Sequence, residues 1–424
     1  MKITNIETHV IHAPFHDWNA DAITRYHGRI FTTRTIVVIQ TDDGLEGVGE
    51  DGGEWSGAQK QWAEKLKGTN PSRWLAHSSL SLGLSEAIYD VVGKRNEVPA
   101  YALFGQRSVT RSVAGGSPLQ NRVPVSAWCV SQTPAKMAEE VKRAAAQGHT
   151  WLKYHTNHFH NIVDQTEAMQ KVAPRGFKIH YDLNFDSTVE HIVNLAREMS
   201  KYPIVGAFED PVTNEDFEGY KLLRHRTQIP IYFHHLHMGG REALLGLADG
   251  YMLGHSAVEQ VIQRAGLFEA ANTPFMLQNT GGNITTAFVA HMASVFKMAT
   301  LHHVTCLNLY ADDVVTPGFE VTAGTIAVSE EPGLGLTLDR DALERLKNPL
   351  PKSDKRALVR IQYAGQPPIY ARPPVQHLAD GAPGYINVNG GGYDQQVDQD
   401  YFEDDGSKEF RVLWEKTESG VAMG

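Results

Sequence analysis

Short apolar runs alternate with amphipathic stretches through the middle of the chain. The runs have the length and the aromatic or β-branched content of buried strands. The stretches between them place apolar side chains at helical spacing, as in residues 134–147, where Gly148 provides a C-terminal cap. This alternation extends over about residues 123–310 and predicts a parallel sheet covered by helices. Three of the apolar runs are residues 177–181, 204–208 and 229–233.

The first part of the chain has a different pattern. Residues 35–41 and 45–50 resemble strands and flank a turn signal at residues 42–44, which predicts a β-hairpin. Residues 57–105 have apolar positions at helical spacing. Residues 16–27 are too polar and aromatic to lie wholly in a core, and they predict a loop over a pocket.

These patterns divide the chain into four parts. Residues 312–348 return to strand and turn signals. Residues 349–424 are rich in Pro, Gly, Asp and Gln and have few helix signals, so they predict an extended appendage that covers the N-terminal domain or a neighbouring subunit. The predicted parts are an α+β domain at 1–122, the strand–helix region at 123–311, a return segment at 312–348 and a C-terminal extension at 349–424.

The composition is that of an ordinary globular protein, with 42% hydrophobic and 21% charged residues among 424. A net charge of −10 without a basic stripe argues against a nucleic-acid partner. No apolar run approaches the roughly 20 residues that span a bilayer, and the strand-like start after Met1 is unlike a signal peptide. Cys129 and Cys306 lack metal-binding spacing, so we expect reduced core thiols in a cytoplasmic protein.

Three candidate metal ligands follow successive apolar runs. They are Asp182, Glu209 and His235, separated by 27 and 26 residues. One strand plus one helix takes roughly 25–30 residues in a βαβ array. The carboxyl ends of the strands form one edge of the sheet, where a (β/α)8 barrel has its site. The spacing therefore predicts a metal site at the strand ends of a TIM-type barrel.

Several segments resemble one known family, the enolase superfamily in its mandelate racemase and muconate lactonizing branch. These segments are residues 41–50, 87–94, 98–105 and 331–339. The resemblance covers roughly residues 1–348 and implies a modified (β/α)7β barrel with an α+β capping domain made from both chain ends. It also implies abstraction of a proton α to a carboxylate, with a divalent metal, usually Mg²⁺, that stabilises the enediolate. Homo-oligomers are common in this family, and we expect one here.

The resemblance implies which residues hold the metal. Asp182, with Asn184 beside it, matches the first ligand of the family, and Glu209 matches the second. His235 stands where the family usually has a third carboxylate. An imidazole there removes a negative charge and shifts the preference from Mg²⁺ toward Mn²⁺, Fe²⁺, Ni²⁺ or Zn²⁺. The alternatives are His234 as the third ligand, or a weak or empty site that lacks one.

Lys153 and His155 occupy the place of the family's Lys-x-Lys strand, and strand alternation points both inward. His155 is the expected base for the α-proton, because a histidine near pKa 6.5 accepts a proton without strong desolvation. Lys153 would hold a carboxylate or enolate oxygen of the substrate. The structural alternatives are a solvated surface lysine and a barrel histidine without a catalytic role.

The opposite face of the expected site departs from the family. Gly254 and His255 stand where many members have an aspartate, and Gln278 replaces its histidine partner. Asn308 lies near the position of an acid on the eighth strand. Gln278 and Asn308 can form hydrogen bonds but cannot shuttle protons at neutral pH. A two-base racemase is therefore disfavoured, whereas a one-base reaction, or one with His255 or His237 as second group, is favoured.

The leading hypothesis is a lyase, a metal-dependent dehydratase of a hydroxylated sugar acid or related carbonyl compound. The acid for the departing hydroxide is His155 itself or one of His234, His237 and His255. The alternatives are an epimerase, racemase or cycloisomerase of the same superfamily, or a non-catalytic ligand-binding member. The residues expected to bind the small-molecule substrate are Trp18, Arg25, Tyr26, His27, Asn184, His234, His237, Gln278 and Asn308.

Overall fold

The N-terminal part of the chain forms a three-stranded antiparallel sheet with helices. The computed structural model describes residues 1–28, 31–104, 119–157, 159–184, 187–255, 257–351, 355–363, 365–374 and 397–424. The elements of the N-terminal part are β1 (Ile3–His12), α1 (Asp17–His27), β2 (Thr33–Thr41), β3 (Glu46–Gly52), α2 (Gly57–Leu66) and α3 (Leu82–Asn96). The sheet order is β1-β2-β3. β2 and β3 pair antiparallel across residues 42–45, which confirms the predicted hairpin.

Two glycines let α3 lie directly on this sheet. A Cβ atom at Gly49 would lie 1.9 Å from the carbonyl oxygen of Gly83, and one at Gly47 would lie 2.1 Å from that of Ala87. No side chain fits in that space, so glycine is required on β3 where the helix crosses it.

Residues 17–27 form the helix α1, so the predicted loop over a pocket is wrong in its secondary structure. The helix has no side-chain cap at its N-terminus. It buries Asn19, Ile23, Tyr26 and His27 on one side. A helix of this length is marginal by itself in water, so tertiary packing stabilises it. The mixture of polar and aromatic residues on the buried side concealed the helical period.

Eight parallel strands close into a barrel. They are β4 (Arg122–Val130), β5 (Trp151–His155), β6 (Lys178–Asp182), β7 (Val205–Glu209), β8 (Ile231–Phe233), β9 (Gly250–Gly254), β10 (Phe275–Gln278) and β11 (His303–Val304). Each strand pairs with the next, and β11 pairs with β4 to close the ring. The connecting helices are α4 (Pro134–Ala146), α5 (Ile162–Val172), α6 (Val189–Met199), α7 (Phe217–Arg226), α8 (Val258–Ala271) and α9 (Asn283–Ala293), with a 3₁₀ helix at Arg241–Leu245 after β8. The predicted (β/α)7β barrel is confirmed.

After the barrel the chain returns to the N-terminal domain. The elements of this segment are β12 (Val315–Thr316), β13 (Thr325–Ala327), β14 (Thr337–Leu338) and α10 (Arg340–Leu346). The backbone N–H of Leu334 donates to the carboxylate of Asp90 on α3 over 2.8 Å. Arg340 pairs with Glu46 on β3, at 2.8 Å between Nη2 and Oε2. Both chain ends therefore contribute to the capping domain.

The C-terminal extension forms a small sheet of its own, where the sequence predicted an extended appendage. Its elements are β15 (Ala357–Tyr363), β16 (Ile369–Ala371), β17 (Val397–Glu403), α11 (Lys408–Lys416) and β18 (Ala422–Met423), with the strand order β17-β15-β16-β18. Leu358, Tyr370, Phe410 and Leu413 form its core. Residues 352–354, 364 and 375–396 of the extension lie outside the described residues.

Two expectations from composition can be compared with the structure. Cys129 and Cys306 are both buried and both free, as predicted. Among the described residues, no helix is long and apolar enough to cross a membrane.

Candidate active site at the strand ends

The register of the barrel brings the predicted site residues together. His155 lies opposite Asp182 in the pairing of β5 with β6, and Asp182 lies opposite Glu209 in the pairing of β6 with β7. The three residues therefore form a row at the carboxyl edge of the barrel. This is the place where a TIM-type barrel carries its catalytic residues.

Lys153 lies two residues before His155 and points into the barrel. Its side chain is fully buried. Its Nζ atom lies 3.0 Å from Oδ2 of Asp182 and 2.7 Å from Oε2 of Glu209, and it donates to Oε1 of Gln278 over 2.8 Å. Burial opposes the charge, but the two carboxylates outweigh it and raise the pKa of the amine above its ordinary value. Lys153 is therefore a fixed cation, and the alternative of a surface lysine is wrong.

His155 lies against the same carboxylate. Its Nε2 atom is 3.1 Å from Oδ2 of Asp182, and its Nδ1 atom is 3.5 Å from the hydroxyl of Tyr26. The rings of Trp128 and His27 pack on it, with centroids 5.2 and 5.7 Å away. Burial lowers the pKa of His155, and Asp182 offsets part of this effect. The imidazole is therefore neutral at neutral pH. The carboxylate beside Nε2 favours a proton on that nitrogen, which leaves Nδ1 as the basic atom.

Glu209 is the most crowded charge in the site. It is fully buried, and its oxygens lie 2.7 Å from Nζ of Lys153, 2.7 Å from Nε2 of His180 and 3.1 Å from Nδ1 of His234. Burial disfavours its charge, but Lys153 and His180 outweigh burial and hold the pKa of this carboxyl well below its ordinary range. Glu209 is therefore a carboxylate at neutral pH.

Sequence reasoning missed His180 and Asp210. His180 lies two positions before Asp182 on β6, so strand alternation points it into the barrel, and this spacing was the available signal. Its Nδ1 atom lies 2.9 Å from Nε2 of His302. Asp210 is buried, accepts from the backbone N–H of His234 over 2.9 Å, and has a pKa raised well above its ordinary value by burial and by Glu209.

His234 contacts Glu209 through its Nδ1 atom. Gly254 makes room for it, because a Cβ atom at Gly254 would lie 2.2 Å from Nε2 of His234. His235 is exposed and has a positive φ of 43°. Among the described residues, the group of histidines and carboxylates whose ligand atoms all lie within 4.8 Å of one another is Asp210, His234 and His235. The imidazoles of His234 and His235 thus lie beside the predicted metal site, and His234 is next to Glu209.

The comparisons with known proteins agree with this geometry. Residues 136–342 match the family model described as enolase C-terminal domain-like. A D-galactonate dehydratase of Variovorax paradoxus is 24% identical over 406 residues, which cover 85% of this chain and 98% of that protein. The chain is therefore similar to the enolase superfamily, in its mandelate racemase and muconate lactonizing branch.

Solved structures show the same fold at low identity. An N-succinyl Arg/Lys racemase of Bacillus cereus matches with a TM-score of 0.65 and 19% identity, over 82% of this chain and 98% of that chain. An enolase of Thermobispora bispora complexed with magnesium and formate matches with a TM-score of 0.65 and 18% identity, over 82% and 92% of the two chains. These likenesses show the shared fold, and the two solved proteins have different names.

The residues of this site fit a divalent ion in their donor chemistry. Asp182 and Glu209 offer carboxylate oxygens, and the imidazole of His234 lies beside Glu209. Neither oxygen of Glu209 accepts an aligned hydrogen bond from a described residue, although three nitrogens lie close to it. Buried carboxylate oxygens in that state are available to a metal ion.

Some predicted substrate-binding residues have other contacts. Both amide atoms of Asn308 bond to the backbone of Trp128, at 2.9 Å each, so they join the last strand region to β4. Trp18 stacks on His16 and lies under the guanidinium of Arg143 on α4. These contacts do not connect either residue to the row formed by His155, Asp182 and Glu209.

Four others are distributed around the site. Arg25 pairs with Asp21 and with Glu403 of the C-terminal extension. The side-chain amide of Asn184 donates to the carbonyl of Asp182 over 3.1 Å. The exposed ring of His237 lies 3.7 Å from a carboxylate oxygen of Glu215. His255 lines a separate polar cavity with Ser81, Ser85, Gln260 and Asn279.

Proposed function

We propose that the protein dehydrates a hydroxylated sugar acid by removing the proton next to its carboxylate. The observation that carries this proposal is the pair of neighbouring groups at one strand end: a neutral, partly buried imidazole and a buried ammonium. His155 can accept a proton while Lys153 stays charged. The similarity to D-galactonate and D-xylonate dehydratases supports the class of substrate.

The reaction breaks two bonds of the substrate. Nδ1 of His155 accepts the proton of the α-carbon, and the electron pair of that bond forms a double bond to the β-carbon. The C–O bond at the β-carbon breaks, and the imidazolium of His155 returns its proton to the departing hydroxide, which leaves as water. The enol product becomes a 2-keto acid. His155 thus serves as both base and acid on one face of the substrate.

The negative charge on the substrate carboxylate needs compensation. A divalent ion, Mg²⁺ as in the family or Mn²⁺, Fe²⁺, Ni²⁺ or Zn²⁺ given the imidazoles, would supply it when bound by Asp182, Glu209 and either His235 or His234. Lys153 lies within 3.0 Å of both carboxylates and keeps them in place. The side-chain oxygen of Gln278 accepts a hydrogen bond from Lys153. Its side-chain amide N–H groups are suited to donate to a substrate hydroxyl.

A panel of sugar acids tests the proposal. Purified protein is incubated with each acid and with each candidate metal, and 2-keto acids are measured by their semicarbazones. We expect one or a few acids to react, chelation to abolish the reaction, and His155→Gln to lower kcat by about 10²–10⁴-fold. Release of an epimer, or of a cyclised isomer of unchanged mass, would support the epimerase or cycloisomerase instead. No turnover and no bound metal would support a ligand-binding protein.

A further inference from the structure

The C-terminal sheet, defined as β15 to β18 with α11, contacts the helix that covers the proposed base. The racemase of known structure is covered to 98% of its own length, yet it matches only 82% of this chain. The family model ends at residue 342, so the C-terminal sheet lies outside the part of the chain that this model matches.

The contacts between β17 and α1 involve one arginine. The guanidinium of Arg25 on α1 pairs with the carboxylate of Glu403, at 3.0 Å between Nη2 and Oε2. It also lies over the ring of Tyr401, 4.9 Å from the centroid. Tyr401 in turn stacks on Phe159, which follows β5 of the barrel, with centroids 4.7 Å apart. One strand of the extension thus joins α1 to the loop after the strand that carries His155.

A buried apolar cluster supports the same junction. Ile23 and Tyr26 of α1 belong to one core cluster with Val359 and Ile361 of β15, and Trp128 of β4 is part of it. All five side chains are at most 3% exposed. Because α1 has no side-chain cap, this packing fixes its position.

The residues that follow Arg25 on α1 face the proposed base. The hydroxyl of Tyr26 lies 3.5 Å from Nδ1 of His155, and the ring of His27 packs on the same imidazole at 5.7 Å. The His155 side chain is 15% exposed, and a displacement of α1 would remove both neighbouring side chains and expose more of it. The ion pair and the aromatic stack of the C-terminal sheet oppose that displacement.

We propose that Tyr401 and Glu403 are positioning residues that hold α1 over His155, so that Tyr26 and His27 limit the exposure of its imidazole to water. The role of His155 as base rests on the proposed function, but its shielding does not depend on the reaction. Arg25, expected from the sequence to bind substrate, serves in this arrangement as the link between the helix and the sheet.

The test measures accessibility in the full-length protein without turnover. Hydrogen–deuterium exchange is followed in peptides covering residues 17–27, and modification of His155 by diethyl pyrocarbonate is followed by mass spectrometry. The variants are Glu403→Gln and Tyr401→Ala, with Tyr401→Phe as the conservative replacement. The matched control is Asp400→Asn, since Asp400 lies on the same strand but pairs with Arg360 inside the sheet.

We expect Glu403→Gln to raise the rate of hydrogen–deuterium exchange in residues 17–27 and the rate of His155 modification about two- to fivefold each, as for loss of one exposed ion pair. Tyr401→Ala should raise them about tenfold or more, because it removes the stack and the ring under Arg25 together. Tyr401→Phe and Asp400→Asn should retain the wild-type rates. If Tyr401→Ala unfolds the sheet, as seen by exchange in residues 357–363, Glu403→Gln decides. Wild-type protection of His155 in Glu403→Gln, or an equal rise in Asp400→Asn, would overturn the proposal.

Discussion

At the scale of single residues, the site is organised around a buried ammonium. Lys153 is enclosed by Asp182, Glu209 and Gln278 at 2.7–3.0 Å. A buried charge is tolerated when its partners compensate for lost hydration. The sequence could predict that Lys153 points inward, because alternation on a strand is strict. It could not predict the partners, because these depend on the register of three strands.

Replacing Lys153 by Met should destabilise the fold. The variant leaves two buried carboxylates without their cation, so we expect the free energy of unfolding to fall by about 3–5 kcal/mol. Urea unfolding followed by circular dichroism measures this change. The control is Lys171→Met, an exposed lysine of α5 paired with Glu167, which should change stability by less than about 0.5 kcal/mol. Equal unfolding curves for the two variants would contradict the role of Lys153.

The protonation of His155 should set the acid limb of activity. Burial lowers the pKa of this imidazole, and the base must be neutral to act. On the accepted substrate, kcat/KM should therefore rise with pH through a pKa below the ordinary 6.5 and stay level through neutrality. A pH–rate profile checks this. An acid limb centred above pH 6.5 would mean that another group is the base.

At the scale of elements, hydrophobic periodicity predicted the strands and helices of the barrel, but it did not predict a helix that depends on tertiary packing. The barrel strands and helices follow their periodicity, so their existence and order were predictable from apolar positions. The helix α1 was not, because its buried side contains Asn19 and His27 and its stability comes from packing. The identity of the third metal ligand could not be predicted either, because the adjacent residues His234 and His235 point in different directions at the end of β8.

A substitution at Gly254 tests whether His234 is a metal ligand. In Gly254→Ala the new Cβ atom would lie 2.2 Å from Nε2 of His234, so the ring must leave Glu209. We expect reduced metal content, measured by elemental analysis after dialysis, together with loss of activity. The control Gly52→Ala has no atom within 4 Å of the added group and should bind metal like the wild type. Full metal content in Gly254→Ala would exclude His234 as a ligand.

At the scale of the whole molecule, the sequence predicted the capping domain and barrel but not the C-terminal sheet. That extension has no long periodic segment, and its strands are defined by pairings with one another, as between β15 and β17. Its contacts with α1 are long-range in sequence, from Arg25 to Glu403. Such contacts leave no local signal in the chain.

Buried neutral histidines should make the whole fold sensitive to acid. Burial lowers the pKa of His291 and of His303 to about 4. Nδ1 of each accepts a backbone N–H, from Tyr101 and from Leu277. The unfolded chain binds protons near pH 6.5 and the native chain does not, so stability falls as pH decreases from 6.5 toward 4.

Protonation of the unfolded chain at each of these two histidines should lower the free energy of unfolding by about 2 kcal/mol as the pH falls from 7 to 5. Urea unfolding at both pH values measures the loss. In His303→Gln the amide oxygen can accept the same N–H without titrating, so the loss should be smaller by about that amount. An unchanged pH dependence in this variant would show that His303 does not contribute.

Proton nuclear magnetic resonance of the reaction in D₂O shows whether His155 removes an α-proton and the enzyme then eliminates water. With the accepted sugar acid, we expect loss of the α-proton signal in step with the appearance of a 3-deoxy-2-keto acid, and neither change with His155→Gln. Exchange of the α-proton for deuterium without loss of water, or dehydration at the wild-type rate by His155→Gln, would contradict it.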